Sequence, residues 1–345
     1  MTTDTAPIRS EERFDEAAVA NHLRTRLPDL VGDGPISFAQ FPGGKANLTY
    51  QVTAGTTELV LRRPPLGPVA PGSHDMAREY RVLSVLHRAY PPAPLAWLFC
   101  DDPAVMDKPF FVMERRRGFV VRGEWPAALD PSPTFRRGVA ERLVDRLADL
   151  HMVDFDALGL GDLGRPEGFG ARQVRGWIDR WERSRTDAVP EMDQLGEQLR
   201  LDVPAPQRAV LLHNDFKLDN TMLDDGGDVV AVFDWDMATL GDPLVDLGTS
   251  LSYWGGSGGA MDLVAADSVA LGDVMDITAV AERYAVRTGI DLDRLDWYRA
   301  LGMFRIAVIV QQIYARYARG QTTDERFAGL GAVVKPLASA GLELV

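Results

Sequence analysis

Between His213 and Asp236 the chain gathers side chains that can move a phosphoryl group. The first cluster reads His213-Asn214-Asp215-Phe216-Lys217-Leu218-Asp219-Asn220, and the second Asp234-Trp235-Asp236. Phosphoryl transfer from ATP needs a carboxylate to orient or deprotonate the acceptor hydroxyl, oxygen ligands for Mg2+, and cations beside the phosphates. Asp215 and Asn220 stand in a loop that follows the apolar run Ala209-Val210-Leu211-Leu212. Beyond Asn220 come a short strand over 221–223, a turn at Asp225-Gly226-Gly227-Asp228 and a second strand over 229–233. A turn centred on the two glycines sets Asn220 opposite Phe233 and beside Asp234, so two oxygen ligands converge at one end of the hairpin. Mg2+ takes few protein ligands and completes its shell with water and phosphate oxygens, so such a pair suits it. Asp215, at the mouth of the loop, is then the catalytic base, and Lys217 offsets charge developing on the transferred group. An HxDxxxxN string alone arises readily by chance in loops. The ordered set of strand, HxDxKxxN, hairpin and DxD carries the signal.

In that order the motifs resemble the aminoglycoside phosphotransferase family of the protein-kinase-like superfamily, whose usual pattern is HGDxxxxN, a strand and then a DW pair. Asn214 stands where the family has glycine. The resemblance implies Asp215 as base and Asn220 and Asp234 as metal ligands, with Asp236 assisting. His213 reads as a support of the loop rather than an acid or base. Asp242 and Asp246 also match the family and read as loop and helix caps.

On the nucleotide side, the segment Phe41-Pro42-Gly43-Gly44-Lys45-Ala46-Asn47 lies between two strand-like runs. Its backbone around Gly43, Gly44 and Asn47 can fold over phosphates, although a plain hairpin turn explains the glycines equally well. It lacks the Walker A spacing. Glu79 shares a helix face with Val82, Leu83 and Leu86, so its carboxylate points inward and wants a partner. Arg62, at the position of the usual phosphate-binding lysine, is the natural candidate; a local pair with Arg78 or Arg81 is the alternative. The resemblance further implies that backbone groups near Met113, Glu114 and Arg116 hold adenine.

The elements that must position these residues change character along the chain. Helical spacing over 16–27 gives way to strands between 36 and 61, then to a helix over 76–89 with Ser73 or Asp75 as N-cap and Pro91-Pro92 as stop. A strand over 109–113 follows. From Phe135 onward helices dominate, over 137–152, 173–184, 278–288 and 295–319. The expected class is α+β. By the resemblance this is a bilobal protein-kinase-like fold: an antiparallel-sheet lobe with one main helix (1–113), a hinge (114–118) and a mostly helical lobe (119–345).

With 345 residues and 46% apolar content the chain can bury a sizeable core. A net charge of −13 argues against non-specific binding of nucleic acid or anionic membrane. One cysteine, Cys100, allows no internal disulfide, the first residues lack a signal-peptide pattern, and charges such as Arg305 interrupt the long apolar stretches. A cytoplasmic protein acting on a small-molecule hydroxyl acceptor is expected. Pro64-Pro65, Ser73-His74-Asp75 and Arg78-Glu79-Tyr80 resemble the branch related to the kinase portion of acyl-CoA dehydrogenase-linked proteins, which implies hydroxylated acyl or acyl-CoA acceptors. Arg115, Arg116, Arg117 and Arg122 offer either charge for an anionic acceptor or a solvated surface. Trp177, Trp181 and Trp254 offer either an acceptor wall or core packing. Three readings stand: a metabolite kinase, an antibiotic phosphotransferase with an acidic acceptor wall, and a nucleotide-binding regulator without turnover.

Overall fold

Alternating apolar and polar residues in the first third of the chain do form strands, and the computed structural model describes residues 4–42, 47–67, 74–254 and 271–345. The chain divides into two compact units, Met1–Arg117 with Val230–Ala238, and Gly118–Val229 with Thr239–Val345.

In the first unit, β1 (Ile36–Gln40), β2 (Leu48–Ala54), β3 (Thr57–Arg63), β4 (Ala96–Cys100) and β5 (Phe110–Glu114) make an antiparallel sheet of order β1-β2-β3-β5-β4. Leu48, Tyr50, Val52 and Ala54 of β2 are buried, as period-two alternation requires of a strand with one face on the core. With Leu23 of α1 (Glu16–Arg26), Leu61, Phe110 and Val112 they form that core. A one-turn helix, α2 (Pro28–Val31), follows α1. The main helix, α3 (Met76–Leu86), starts at Asp75, whose carboxylate accepts the Arg78 N–H at 3.0 Å. It ends at Leu86, short of the expected residue 89, because Ala89 and Tyr90 turn back onto the Leu86 carbonyl. Ser73, the other candidate cap, lies outside the described residues.

Residues 230–238, which fall within the 119–345 expected for the mostly helical lobe, group with the first unit. Val232 N–H bonds the Pro92 carbonyl at 2.8 Å, and the fully buried Trp235 meets Tyr90 edge-on. Arg78 reaches the Ala238 carbonyl at 2.8 Å.

In the second unit the helices are α4 (Pro133–His151), α5 (Phe169–Ser184), α6 (Pro190–Leu201), α7 (Pro243–Ser252), α8 (Ile277–Thr288), α9 (Leu295–Ala318) and α10 (Gly331–Leu342). β6 (Val210–Leu212) pairs antiparallel with β9 (Thr239–Gly241); β7 (Thr221–Leu223) lies in this unit too, whereas β8 (Val229–Val232), all but its first residue, belongs with the first. α7 and α9 cross closely because both carry glycine at the crossing. A Cβ on Gly248 would lie 2.5 Å from the Tyr298 carbonyl, and one on Gly302 would lie 2.7 Å from the Gly248 carbonyl. No helix among the described residues is long and apolar enough to cross a membrane.

The same substitution should therefore act in opposite directions at two helical glycines. Gly248→Ala is expected to cost about 2 kcal/mol by overpacking. Gly176→Ala on α5, where the nearest atom is an arginine side-chain nitrogen at 3.5 Å, should gain about 0.5 kcal/mol by restricting the unfolded chain. Urea midpoints of the two variants check the signs.

Candidate active site

β6 runs directly into the motif loop, and Asp246 of α7 fastens it from beneath. The Asp246 carboxylate is fully buried. One oxygen accepts the backbone N–H of His213 at 2.6 Å and the other that of Asn214 at 2.8 Å. His151, at the end of α4, stands with Nε2 3.2 Å from the same carboxylate and Nδ1 2.6 Å from the Tyr284 hydroxyl. An ionised carboxylate only accepts, so Nε2 is the donor of that bond. Burial works against the charge on Asp246, but the donors from His151 and the loop outweigh it and hold the carboxyl below its usual range. Asp242 does what a cap does, accepting the Leu244 N–H at 3.0 Å at the start of α7, and also receives the Tyr298 hydroxyl at 2.6 Å. Asp246 is not a helix cap: it secures the loop.

Asn214 has φ +68°, the left-handed region that a family glycine would occupy at no steric cost. Asparagine is among the few other residues that adopt it readily. Its carbonyl accepts from Arg305 of α9 at 3.0 Å, and Arg305 also bonds Thr249 at 3.0 Å above the Trp177 ring.

Held in this way, the loop gathers three functional groups. The Asp215 carboxylate receives the Asn220 amide at 2.9 Å and stands 3.1 Å from the Lys217 ammonium. Asn220 donates again to the Asp215 carbonyl at 2.9 Å, so its Oδ1 is the amide atom suited to a metal. The Asp215 N–H donates to His213 Nδ1 at 3.2 Å, which gives His213 the supporting role. Lys217 lies over the Tyr253 ring, 5.0 Å from its centroid. Burial opposes the ammonium, yet Asp215 outweighs it and the Lys217 pKa is raised. Both side chains keep about a fifth of their surface exposed, 23% for Asp215 and 21% for Lys217. An oriented, solvent-reachable carboxylate beside a fixed ammonium can take a proton from a hydroxyl while the cation meets the incoming phosphoryl charge.

In the first unit Arg62 is the partner of Glu79, Nε to Oε2 at 3.1 Å, and its fork also engages Asp234. Glu79 further accepts the Trp235 N–H at 3.4 Å. Burial pushes the Glu79 carboxyl up to about 8, against the pull of Arg62 and with the push of Asp234 and Asp236. Arg62 is raised in turn, its own burial outweighed by those three carboxylates. The surplus of negative charge, and an Asp234 held at φ +72°, are features that a divalent cation would answer. Among the described residues no group of three or more His, Cys, Asp or Glu is arranged to hold a metal, so an ion here draws further ligands from water or phosphate. Asp236 accepts the His74 N–H at 3.0 Å, and His74 Nδ1 stands 2.9 Å from Asn47 Oδ1.

Gly43 and Gly44 lie outside the described residues. Met113 is buried on β5, and the Glu114 N–H is given to the Leu95 carbonyl at 2.8 Å. Glu114 and Arg116 side chains pair at 3.0 Å, so a contact with adenine here falls to the main chain. Arg115, Arg116 and Arg117 pair with Asp4, Glu114 and Glu58, which makes them a balanced surface rather than an anion site. Trp181 is core, its indole N–H on Asp193 at 2.8 Å, and Trp177 is buried under Arg305. The sequence reading missed the structural work of His151, Arg305 and Tyr253, and of Ser250, whose Oγ donates to the Phe216 carbonyl at 2.7 Å. Arg305 alone left a trace, a charge inside an apolar helix run, which marks a buried partner as well as a soluble helix.

A model of the phosphotransferase enzyme family, APH, matches residues 37–298. The chain is 31% identical over 357 residues to acyl-CoA dehydrogenase family member 11 of Gallus gallus, an alignment taking in 99% of this chain and 44% of that protein. It is 30% identical over 343 residues to member 10 of Mus musculus, with 97% and 31% covered. The chain thus spans less than half the length of these relatives. Among solved structures it is similar to a candidate aminoglycoside phosphotransferase from Ralstonia eutropha JMP134, at 32% identity and TM-score 0.80, covering 96% of this chain and 98% of that one. It shares its fold with a thermostable variant of aminoglycoside phosphotransferase APH(4)-Ia in ternary complex with AMP-PNP and hygromycin B, at 16% identity and TM-score 0.60 over 93% and 98% of the chains. The fold is thus α+β and protein-kinase-like, with the antiparallel sheet in the first unit and most helices in the second.

Asp246→Ala should cost about 3 kcal/mol, because it strands two buried N–H groups. Since the Asp246 carboxyl is lowered in the fold, its contribution is complete above the ordinary carboxylate range, about pH 4, and is lost as pH falls through the lower folded value. Denaturation of wild type and Asp246→Asn between neutral and acid pH should show the gap between them narrowing at the acid end.

Proposed function

We propose, from the fact that this chain belongs to the phosphotransferase enzyme family and is a small-molecule kinase, that it moves the γ-phosphoryl group of ATP to a hydroxyl of a hydroxylated acyl metabolite in the cytoplasm. The observation that carries the reading is the Asp215 carboxylate fixed between the Asn220 amide and the Lys217 ammonium. Asp215 accepts the proton of the acceptor hydroxyl as that oxygen attacks the γ-phosphorus, and Lys217 offsets the charge on the group in flight. Arg62 supplies the phosphate-binding cation, held by Glu79. Its fork binds two oxygens at once where lysine would offer a point charge. The backbone of Asn47 faces the phosphates in this reading, and the main chain of Met113, Glu114 and Arg116 takes adenine. Asn220 Oδ1 and Asp234 would hold Mg2+, which when bound would offset the negative charge of the phosphates.

ATP as donor is supported by the AMP-PNP complex of the structural relative. An acyl acceptor is supported by the acyl-CoA dehydrogenase family names of the sequence relatives, of which this chain matches only a part. An aminoglycoside acceptor is the second reading, on the name of the Ralstonia protein. The residues of the transfer chemistry are all present, which weighs against a silent regulator.

Transfer of labelled phosphate from ATP to a panel of hydroxyacyl-CoAs, free hydroxy acids and aminoglycosides tests the proposal. Asp215→Ala should lower kcat by about 10²- to 10⁴-fold, and unchanged turnover would sink the assignment of the base. Asp234→Ala should raise the Mg2+ concentration needed for half-maximal rate; full activity at the wild-type requirement would remove it from the metal site.

A further inference from the structure

Asp246 and Ser250 of α7, and Tyr253 at its end, meet the loop that carries Asp215 in the order in which they stand. Asp246 takes the His213 and Asn214 N–H groups, Ser250 Oγ donates to the Phe216 carbonyl at 2.7 Å, and the Lys217 ammonium lies over the Tyr253 ring, 5.0 Å from its centroid. Spacings of four and seven residues put the three side chains on one helix face. The first two contacts fix main chain, whereas the third is made to a side chain that the transfer reaction uses. We infer that Tyr253 is a positioning residue, whose ring holds the Lys217 ammonium beside Asp215 for the phosphoryl group in flight. The inference rests on the kinase reading and adds a residue to it.

A lysine in this place needs a third partner. Its ammonium is a point charge on a flexible four-carbon stem, with no planar fork to lock its direction. Lys217 has Asp215 at 3.1 Å and Asp219 at 3.9 Å, and charge attraction alone does not choose between them. An aromatic face attracts a cation without neutralising it. Tyr253 is 8% exposed, so water competes little for the ammonium on that side. Burial pushes the Tyr253 hydroxyl up to about 12, against the pull of Lys217. The ring is therefore neutral at working pH and offers its π face rather than a charge. The ammonium keeps its charge for the phosphoryl oxygens while its position is fixed.

Steady-state kinetics of Tyr253→Phe and Tyr253→Leu, on an acceptor that wild type phosphorylates, test the role, with thermal melts to confirm folding. Tyr253→Leu is expected to lower kcat about tenfold with the KM for ATP unchanged, because the ring acts on a group used in the transition state. Tyr253→Phe keeps the ring face and should stay near wild type. In a Lys217→Met background, Tyr253→Leu should add no further loss. A Tyr253→Leu enzyme as fast as wild type, a Tyr253→Phe enzyme as slow as Tyr253→Leu, or a full further loss in the Lys217→Met background would overturn the inference. A second measurement needs neither turnover nor a Tyr253 variant. The chain has four lysines, Lys45, Lys108, Lys217 and Lys335, so isotope labelling at lysine Cε gives a four-signal NMR spectrum. One signal should stand upfield of the rest, displaced by the ring, and should vanish in Lys217→Met; four signals without such a displacement would overturn the inference. The two proposals fail separately. Absence of transfer by wild type would sink the kinase reading, and with it the role, while the displaced signal would still report the pair; transfer without a displaced signal would sink the role of Tyr253 alone.

Discussion

The loop that carries Asp215 depends on one buried carboxylate. Asp246 takes two backbone N–H groups of the loop and the His151 imidazole, all away from water. A lone carboxylate in that place would cost several kcal/mol, and several donors in good geometry are what keep it charged. Its position is set in turn by α7, which the glycine crossing brings hard against α9. From α9, Arg305 reaches back to the Asn214 carbonyl. The loop is thus gripped through both its N–H and its carbonyl groups, and the strained Asn214 backbone is over-determined rather than loose. The orientation of Asp215, Lys217 and Asn220 follows from that grip.

The charges of the first unit obey a different constraint. Arg62 meets Glu79 and Asp234 together through different nitrogens of one planar fork, a fixed geometry that the single ammonium of a lysine does not offer. Arginine at this position therefore keeps the pairing with the helix glutamate and adds a hold on a residue proposed to bind metal. Burial first, and then the charges of Asp234 and Asp236, leave Glu79 reluctant to ionise against the pull of Arg62.

Much of the chemistry was legible because it is written in side-chain type at short spacing. Asp215, Lys217 and Asn220 lie within one loop, and the inward face of Glu79 follows from helical spacing on α3. Asn214 was readable as a stand-in for glycine only through the family pattern; its left-handed backbone, which few residues tolerate, came from the structure. The fold class was equally plain in the change from period-two to helical patterns. What escaped was long-range or weakly patterned. Asp246 meets the loop across more than thirty residues, and nothing local marks it as more than a residue near a helix start. β9 is three residues, too short for alternation to register, and its pairing with β6 is long-range. α10 contains Pro336 and opens on Gly331, which hide its period. The 230–238 segment groups with the first unit through Pro92 and Tyr90, contacts that no motif announces.

The account turns on Asp246 acting through the alignment of Asp215. A double-mutant cycle on kcat/KM for phosphate transfer, combining Asp215→Ala with Asp246→Asn, measures that coupling directly. Most of the loss caused by Asp246→Asn should vanish once Asp215 is already alanine, since a loop without its base has little alignment to lose. Two losses that add in full would show that Asp246 and Asp215 act independently, and would contradict the account.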